Sequence, residues 1–266
     1  MQNNLLQKRR NTLTSFKRIL NTFYAISSFK LSNLNKYKIQ ELEKNTLDLK
    51  QHIIIPSAKS HQNSSKNLII AFFSNKGLCG GYNSNINKKL LEIEKEINNI
   101  DYIMVGEKSK KYAKNRNIIN TISSKDNQIN TNISLIMDIM KEYPLHNISI
   151  VYNQYINVLK QKVIMKNFSK QENTTNDINN NTPKNPATNN AIMLNCYINN
   201  IIYIAYINAR KVEESMRINT TFNAKNNTED NLKNLELQIN KLRKIKTTTA
   251  ILETINAAEA IKNNFI

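Results

Sequence analysis

The chain of 266 residues contains only 4 Gly, 4 Pro and no Trp. So few turn residues argue against a sandwich or barrel assembled from many short strands. Two cysteines, Cys79 and Cys196, exclude a disulfide scaffold and a Cys-rich zinc module. The three histidines, His52, His61 and His146, lack ligand spacing, so no dedicated metal site is expected. Acidic residues are few, 20 against 38 Lys plus Arg, leaving a net charge of +18. No Ser-His-Asp order, DxD pair or carboxylate cluster stands out, so no catalytic constellation is expected. The most apolar stretch, 192–209, is interrupted by Asn195, Asn199, Asn200 and Asn208. Four amides in hydrocarbon are costly, and no transmembrane helix is expected. The N-terminus also lacks the apolar core of a secretory signal. A soluble protein follows, with any membrane association made through a partner.

Apolar residues make up 40% of the chain, an ordinary supply for a buried core. Residues 1–56 read as one long helix, because Leu6, Leu13, Phe16, Leu20 and Phe23 recur at spacings of seven, three, four and three. At about 1.5 Å per residue such a helix approaches roughly 75 Å and needs an equally long partner. A polar linker, 57–66, follows. Residues 66–168 then alternate apolar runs with helical patterns. Strands are expected at Leu68–Phe73, Tyr102–Val105, Ile118–Ile122, Ile148–Tyr152 and Lys162–Met165. Helices are expected after Asn83, from Glu107 and over Leu135–Met140. Such alternation implies a Rossmann-like α/β body with mostly parallel pairing. The Asn- and Thr-rich segment 169–190, with Pro183 and Pro186, reads as a low-complexity surface loop. From 193 to 266 there is no Pro or Gly. Ile198, Ile202, Ala205, Ala209, Val212 and Met216 form one stripe; Leu232, Leu235, Ile239, Leu242, Ile245, Thr249, Leu252 and Ile255 form another. This reads as a very long helix, bent or frayed near Asn226–Asn231. The fold class is α/β with the two terminal helices wound into an antiparallel coiled coil.

Three of the four glycines, Gly77, Gly80 and Gly81, fall with Cys79 in one loop between a strand and a helix. A phosphate cradle is one reading; a tight, closely packed turn is the other, and the spacing fits neither common nucleotide fingerprint. Cys79 has no nearby activating group in sequence and reads as a buried structural thiol. Residues 1–38 carry eight basic side chains and no acidic one. A single-sign helix suits an acidic partner, either nucleic acid or acidic protein loops; an AT-rich genome would also enrich Lys and Asn.

Ser74-Asn-Lys-Gly-Leu-Cys-Gly-Gly-Tyr-Asn-Ser84, Asn153-Gln-Tyr155, Glu213-Glu-Ser-Met-Arg217 and Asn240-Lys-Leu-Arg243 with Thr248 and Glu253–Ala258 together resemble the gamma subunit of F-type ATP synthases. Lys17-Arg-Ile19 and Ser28-Phe-Lys30 match its N-terminal motifs more loosely. Lys76 stands where that family favours Arg, and Asn199 where it often has an acid. The resemblance implies a non-catalytic, cofactor-free central stalk of a proton-translocating ATP synthase. It would couple rotation of the membrane c ring to the catalytic sites of an alpha/beta hexamer. By the same resemblance, Arg18, Lys30, Arg243, Thr248 and Glu253 face the hexamer. Tyr197, Asn199 and Asn200 lie in the foot near the c ring, and Gly77, Cys79, Gly80 and Gly81 form a structural loop. Alpha, beta and epsilon subunits and the c ring are the implied partners, with no nucleic acid and membrane contact only through the c ring. The implied location is the cytoplasmic side of a bacterial inner membrane, peripherally attached. The competing readings are a basic coiled-coil nucleic-acid-binding protein and a Rossmann-like enzyme with helical extensions.

Overall fold

The computed structural model describes residues 2–53, 66–123, 128–168 and 186–263. The linker 57–66, apart from Lys66, and the loop 169–185 lie outside the described residues, as do residues 264–266. The elements run α1 (Gln2–Asn35), α2 (Ile39–His52), β1 (Asn67–Phe72), α3 (Tyr82–Glu96), β2 (Ile100–Val105), β3 (Asn117–Ile122), α4 (Ile129–Met140), β4 (Ile148–Tyr155), β5 (Gln161–Asn167) and α5 (Pro186–Asn263). The chain divides into two compact units, 1–26 with 221–266, and 27–220.

Unit 27–220 is built on a five-stranded sheet in the order β3-β2-β1-β4-β5. β1, β2, β3 and β4 pair in parallel, and β5 adds an antiparallel edge beside β4. β1 is apolar on both faces because both are covered. Leu68, Ile70 and Phe72 join α4 and α5 in one core, where Phe72 meets Tyr206 edge-on at 6.0 Å. Ile69, Ala71 and Phe73 join Tyr82, Ile86, Leu90 and Ile93 of α3 in the other. Burying one Leu or Ile side chain contributes about 1.5–3 kcal/mol, so the two layers carry most of this unit's stability.

Five expectations change. The N-terminal helix is not continuous to residue 56 but stops at Asn35 and restarts at Ile39. The amides of Lys36 and Tyr37 bond three residues back, tightening the last turn, and Ile39 turns inward onto Ile204 and Ile207. Burial of Ile39 thus overrides a helical pattern that has no Gly or Pro to end it. The C-terminal helix begins at Pro186, inside the segment read as a loop, since proline is well suited to a first helical position. That helix also continues unbroken through Asn226–Asn231. Finally, the pattern from Glu107 forms a short 3-10 turn, Glu107–Tyr112, and α4 starts at Ile129 rather than Leu135.

The stripe Ile198 to Met216, expected in the coiled coil, is core of unit 27–220. From Tyr197 to Arg217 nearly every residue of α5 is buried, whatever face it occupies. The sheet covers one side, and Leu34, Ile39 and Leu42 cover another. A helix enclosed all round no longer needs a single apolar stripe.

Candidate functional site

The glycine-rich loop leaves the carboxyl end of β1, where open α/β sheets commonly bind ligands. Here the position is taken by α5. Lys76 donates its backbone N–H to Glu213 Oε1 at 3.1 Å, and Arg217 Nε donates to the Gly77 carbonyl at 3.1 Å. The Arg217 guanidinium also reaches Glu213 at 2.6 Å and Glu214 at 2.5 Å, while Arg210 holds Glu213 at 2.9 Å. All four charged side chains are at most 8% exposed. Burial alone would lower the pKa of Arg217; the two carboxylates outweigh it and raise the value. Spacings of three and four place these charges along neighbouring turns of one helix.

Gly80 has φ +51, and a Cβ there would lie 3.2 Å from Thr220 Oγ1. Both the backbone and the approach of α5 therefore require glycine. Gly106, at the end of β2, is more constrained: φ is +110 and a Cβ would stand 2.3 Å from the Phe73 carbonyl oxygen. Cys79 is buried, 3.4 Å from Ser74 Oγ, and burial pushes its thiol pKa up. A thiol held protonated is a poor nucleophile. Asn83 completes the loop by accepting the Ser74 N–H at 2.9 Å. Two of the loop's backbone donors, the Ser74 and Lys76 amides, are thus committed to the chain's own amide and carboxylate groups.

Unit 1–26 with 221–266 pairs α1 and α5 antiparallel. Tyr24 meets Phe222 with ring centroids 6.5 Å apart, Lys17 bonds Glu229 at 3.0 Å, and Arg10 reaches Glu236 at 3.6 Å. Each step of seven back along α1 is matched by a step of seven forward along α5, a constant heptad register. Leu20, Leu13 and Leu6 line the seam opposite Thr221, Thr228 and Leu235 in turn. Thr228 satisfies its hydroxyl on the Ala224 carbonyl at 2.7 Å, so a small polar group can sit there. Phe16 and Phe23, expected in the seam, are 46% and 39% exposed, because a two-helix contact is narrower than the apolar stripe. From Arg243 to Glu259 every side chain of α5 is exposed, including Ile245, Ile251, Leu252 and Ile255. The outer half of the second stripe therefore has no cover within the described residues.

A family model described as ATP synthase matches residues 2–261. The chain belongs to the ATP synthase gamma-subunit family. Its curated relatives include the ATP synthase gamma chain of Clostridium botulinum strain Hall, 27% identical over 96% of both chains. That of Malacoplasma penetrans is 26% identical, over 96% of this chain and 98% of the relative. In fold it is similar to a chain of the Euglena gracilis mitochondrial ATP synthase OSCP/F1/c-ring structure, with TM-score 0.73 and 19% identity over 98% of this chain and 94% of that one. A chain of the rotor from the same organism gives TM-score 0.71 at 18% identity, over 91% of this chain and 98% of that one.

The gamma-family positions do not gather in one place. Arg18, Arg243, Thr248 and Glu253 are exposed on the paired-helix unit. In the seam register Arg18 and Arg243 sit about fifteen residues apart, roughly 22 Å along the coil. Lys30 belongs to the other unit, half-buried in a cleft with Arg210 and Glu214. Tyr197 is 5% exposed and meets Phe168 edge-on at 6.3 Å, so its ring is occupied within the fold. Asn199 beside it is exposed and Asn200 half-buried. Gly81 is an ordinary helix N-cap, and Gly77 contributes its carbonyl rather than its missing side chain. Sequence reasoning did not single out Arg210 or assign Glu213, Glu214 and Arg217 a role. Arg210, Glu213, Glu214 and Arg217, at helical spacings of three and four, were the available signal.

Proposed function

We propose that this chain is the central rotor of a rotary ATP synthase, an axle without a catalytic site of its own. It is a component of that complex, which is associated peripherally with a membrane; among the described residues no helix is long and apolar enough to cross one. The observation that carries the reading is the seventeen-residue run Arg243–Glu259, helical and exposed, with a bare apolar face. Such a tip suits an apolar sleeve inside an alpha/beta hexamer. Phe16, Ile19 and Phe23 extend the uncovered apolar surface along α1.

The mechanism follows from differential contact. A shaft whose outline is not symmetric binds open and closed catalytic conformations with different energies, and rotation exchanges which site is favoured. Stiffness is needed to transmit torque, and α5 has no Gly or internal Pro to bend it. Arg18, Lys30 and Arg243 would face acidic loops of the beta subunit, with Thr248 and Glu253 adding polar contacts. Asn199 and Asn200 would meet the c ring through hydrogen bonds, with Tyr197 supporting them from behind. An epsilon-type subunit would complete the foot, and the complex would lie on the cytoplasmic side of a bacterial inner membrane, coupled to protons.

The basic face of α1 does not call for nucleic acid, since Arg10 and Lys17 meet Glu236 and Glu229 of the same chain. The test is reconstitution with alpha, beta and membrane subunits. Arg18→Ala with Arg243→Ala should leave assembly and ATP hydrolysis in place while ion pumping per ATP falls. Failure of the chain to co-purify with alpha and beta subunits would refute the rotor reading. Unchanged coupling would remove those two arginines from the interface.

A further inference from the structure

Unit 27–220 contains a cleft of about 590 Å³ whose one wall is the corner between α1 and α2. Tyr155 at the end of β4 and Lys211 of α5 form the opposite wall. Lys38 stands at the N-cap of α2 without a side-chain cap. The first helical hydrogen bond there runs from Leu42 N–H to the Lys38 carbonyl, so the amides of Gln40 and Glu41 precede the helical ladder. The positive end of the α2 dipole therefore opens into this cleft.

Lys211 provides an independent observation. Its side chain lines the cleft, yet the residue is only 7% exposed. Among the described residues its ammonium makes no hydrogen bond or ion pair, and it stands over the Tyr155 ring, 5.9 Å from the centroid. The stem is buried while the ammonium reaches the cleft, where an aromatic face lies beside it and no anion meets it. Burial accordingly pushes its pKa down. Two carboxylates also line the cleft: Glu41 is drawn to Lys38 at 3.4 Å, and Glu43 is not within ion-pair distance of Lys211. Asn208 is neutral, and its amide already accepts the Tyr155 N–H and donates to the Ile204 carbonyl.

We propose that this cleft binds an oxyanion of the phosphate class, held between the Lys211 ammonium and the first-turn amides of α2. Backbone donors, a helix N-terminus and one cation without a carboxylate partner make a complementary set for a doubly charged, tetrahedral group. The group can arrive as free inorganic phosphate or as the phosphate of a nucleotide. The site is separate from the loop after β1, where the Ser74 and Lys76 amides are already engaged.

The test is a titration of the full-length chain with sodium phosphate at constant ionic strength, balanced by chloride, following backbone amide shifts. Saturable shifts at Gln40 and Glu41 are expected. Lys211→Met should weaken binding about ten- to a hundredfold, as expected for a charge-assisted bond. Lys141→Met, at an exposed lysine paired with Asp138, should not. A parallel titration with AMP separates the sources: shifts from both ligands indicate recognition of the phosphate group itself. Shifts from AMP alone assign the group to a nucleotide. No saturable shift with either ligand, or equal weakening by both lysine substitutions, overturns the proposal. The wild-type shifts decide the matter even where Lys211→Met fails to fold.

Discussion

Arg217 on α5 donates its Nε to the carbonyl oxygen of Gly77, joining residues 140 positions apart. The same guanidinium grips Glu213, whose carboxylate receives the Lys76 N–H. Loop and helix are thus cross-linked by charge at the carboxyl edge of the sheet. In a nucleotide-binding α/β protein, that edge would be kept open for a phosphate. Here the loop amide is met by a protein carboxylate, so the long helix is fixed where the sheet would otherwise bind substrate.

Removing one partner of a buried ion network leaves an uncompensated charge. Arg217→Met should therefore destabilise the chain by about 3–5 kcal/mol. Denaturant unfolding followed by circular dichroism measures it, and a loss within the range of an exposed salt bridge would contradict the burial argument. Glu213→Gln should be milder, because the amide can still accept the Lys76 N–H.

Two glycines should respond differently to a methyl group. At Gly80 the obstacle is the Thr220 hydroxyl together with a left-handed φ, so Gly80→Ala should cost about 1–2 kcal/mol, with Thr220→Ala restoring part of it. At Gly106 the obstacle is backbone, the Phe73 carbonyl, which cannot move without breaking the end of β1. Gly106→Ala should cost more than Gly80→Ala, and no single side-chain change should rescue it. Thermal midpoints of the three variants check both the order and the rescue.

What was legible in the sequence follows from how local each feature is. β1, the glycine loop and α3 are written in adjacent residues, and the seam positions Leu6, Leu13 and Leu20 in a plain period of seven. The break at Lys36–Lys38 is written nowhere nearby; it exists because Ile39 and Leu42 pack on Ile204 and Ile207, residues far along the chain. Likewise, Ile198–Met216 carries the same spacing as a coiled-coil stripe. Only the sheet and the α1–α2 corner around it make it core. The candidate positions Arg18, Arg243 and Glu253 were found by motif, whereas Lys211 belongs to no motif and becomes notable only when its burial without a partner is seen.

Acid stability should report on a second charge site. Burial alone would raise the pKa of Glu94, but hydrogen bonds from Arg116 at 2.5 Å and Tyr102 at 2.7 Å outweigh it and hold the carboxyl below its usual range. A lowered folded-state pKa gives a contribution that is full above the unfolded value near 4.5 and is lost as pH falls through the folded value. Glu94→Gln should therefore flatten the stability curve on that acidic limb and leave its shape above pH about 6 unchanged. Urea midpoints at successive pH values test it, and an unaltered acid limb would show that Glu94 is not the group responsible.

The paired-helix unit allows fold stability to be separated from assembly. Leu20 and Leu235 are 2% and 4% exposed in the seam, whereas Leu252 is 54% exposed on the uncovered end of α5. Leu20→Ala and Leu235→Ala should each lower stability by about 2–5 kcal/mol, the cost of a buried cavity. Leu252→Ala should change the isolated chain by no more than about 0.5 kcal/mol, because nothing within it covers that side chain. In reconstituted complexes the order should reverse for binding: Leu252→Ala, alone or with Ile255→Ala, should weaken retention by the alpha/beta hexamer although the subunit itself is intact. A contiguous apolar face left exposed on a helix marks a partner surface. Equal retention of the wild type and the Leu252→Ala, Ile255→Ala double variant would leave the bare end of α5 without the sleeve that the rotor reading assigns to it.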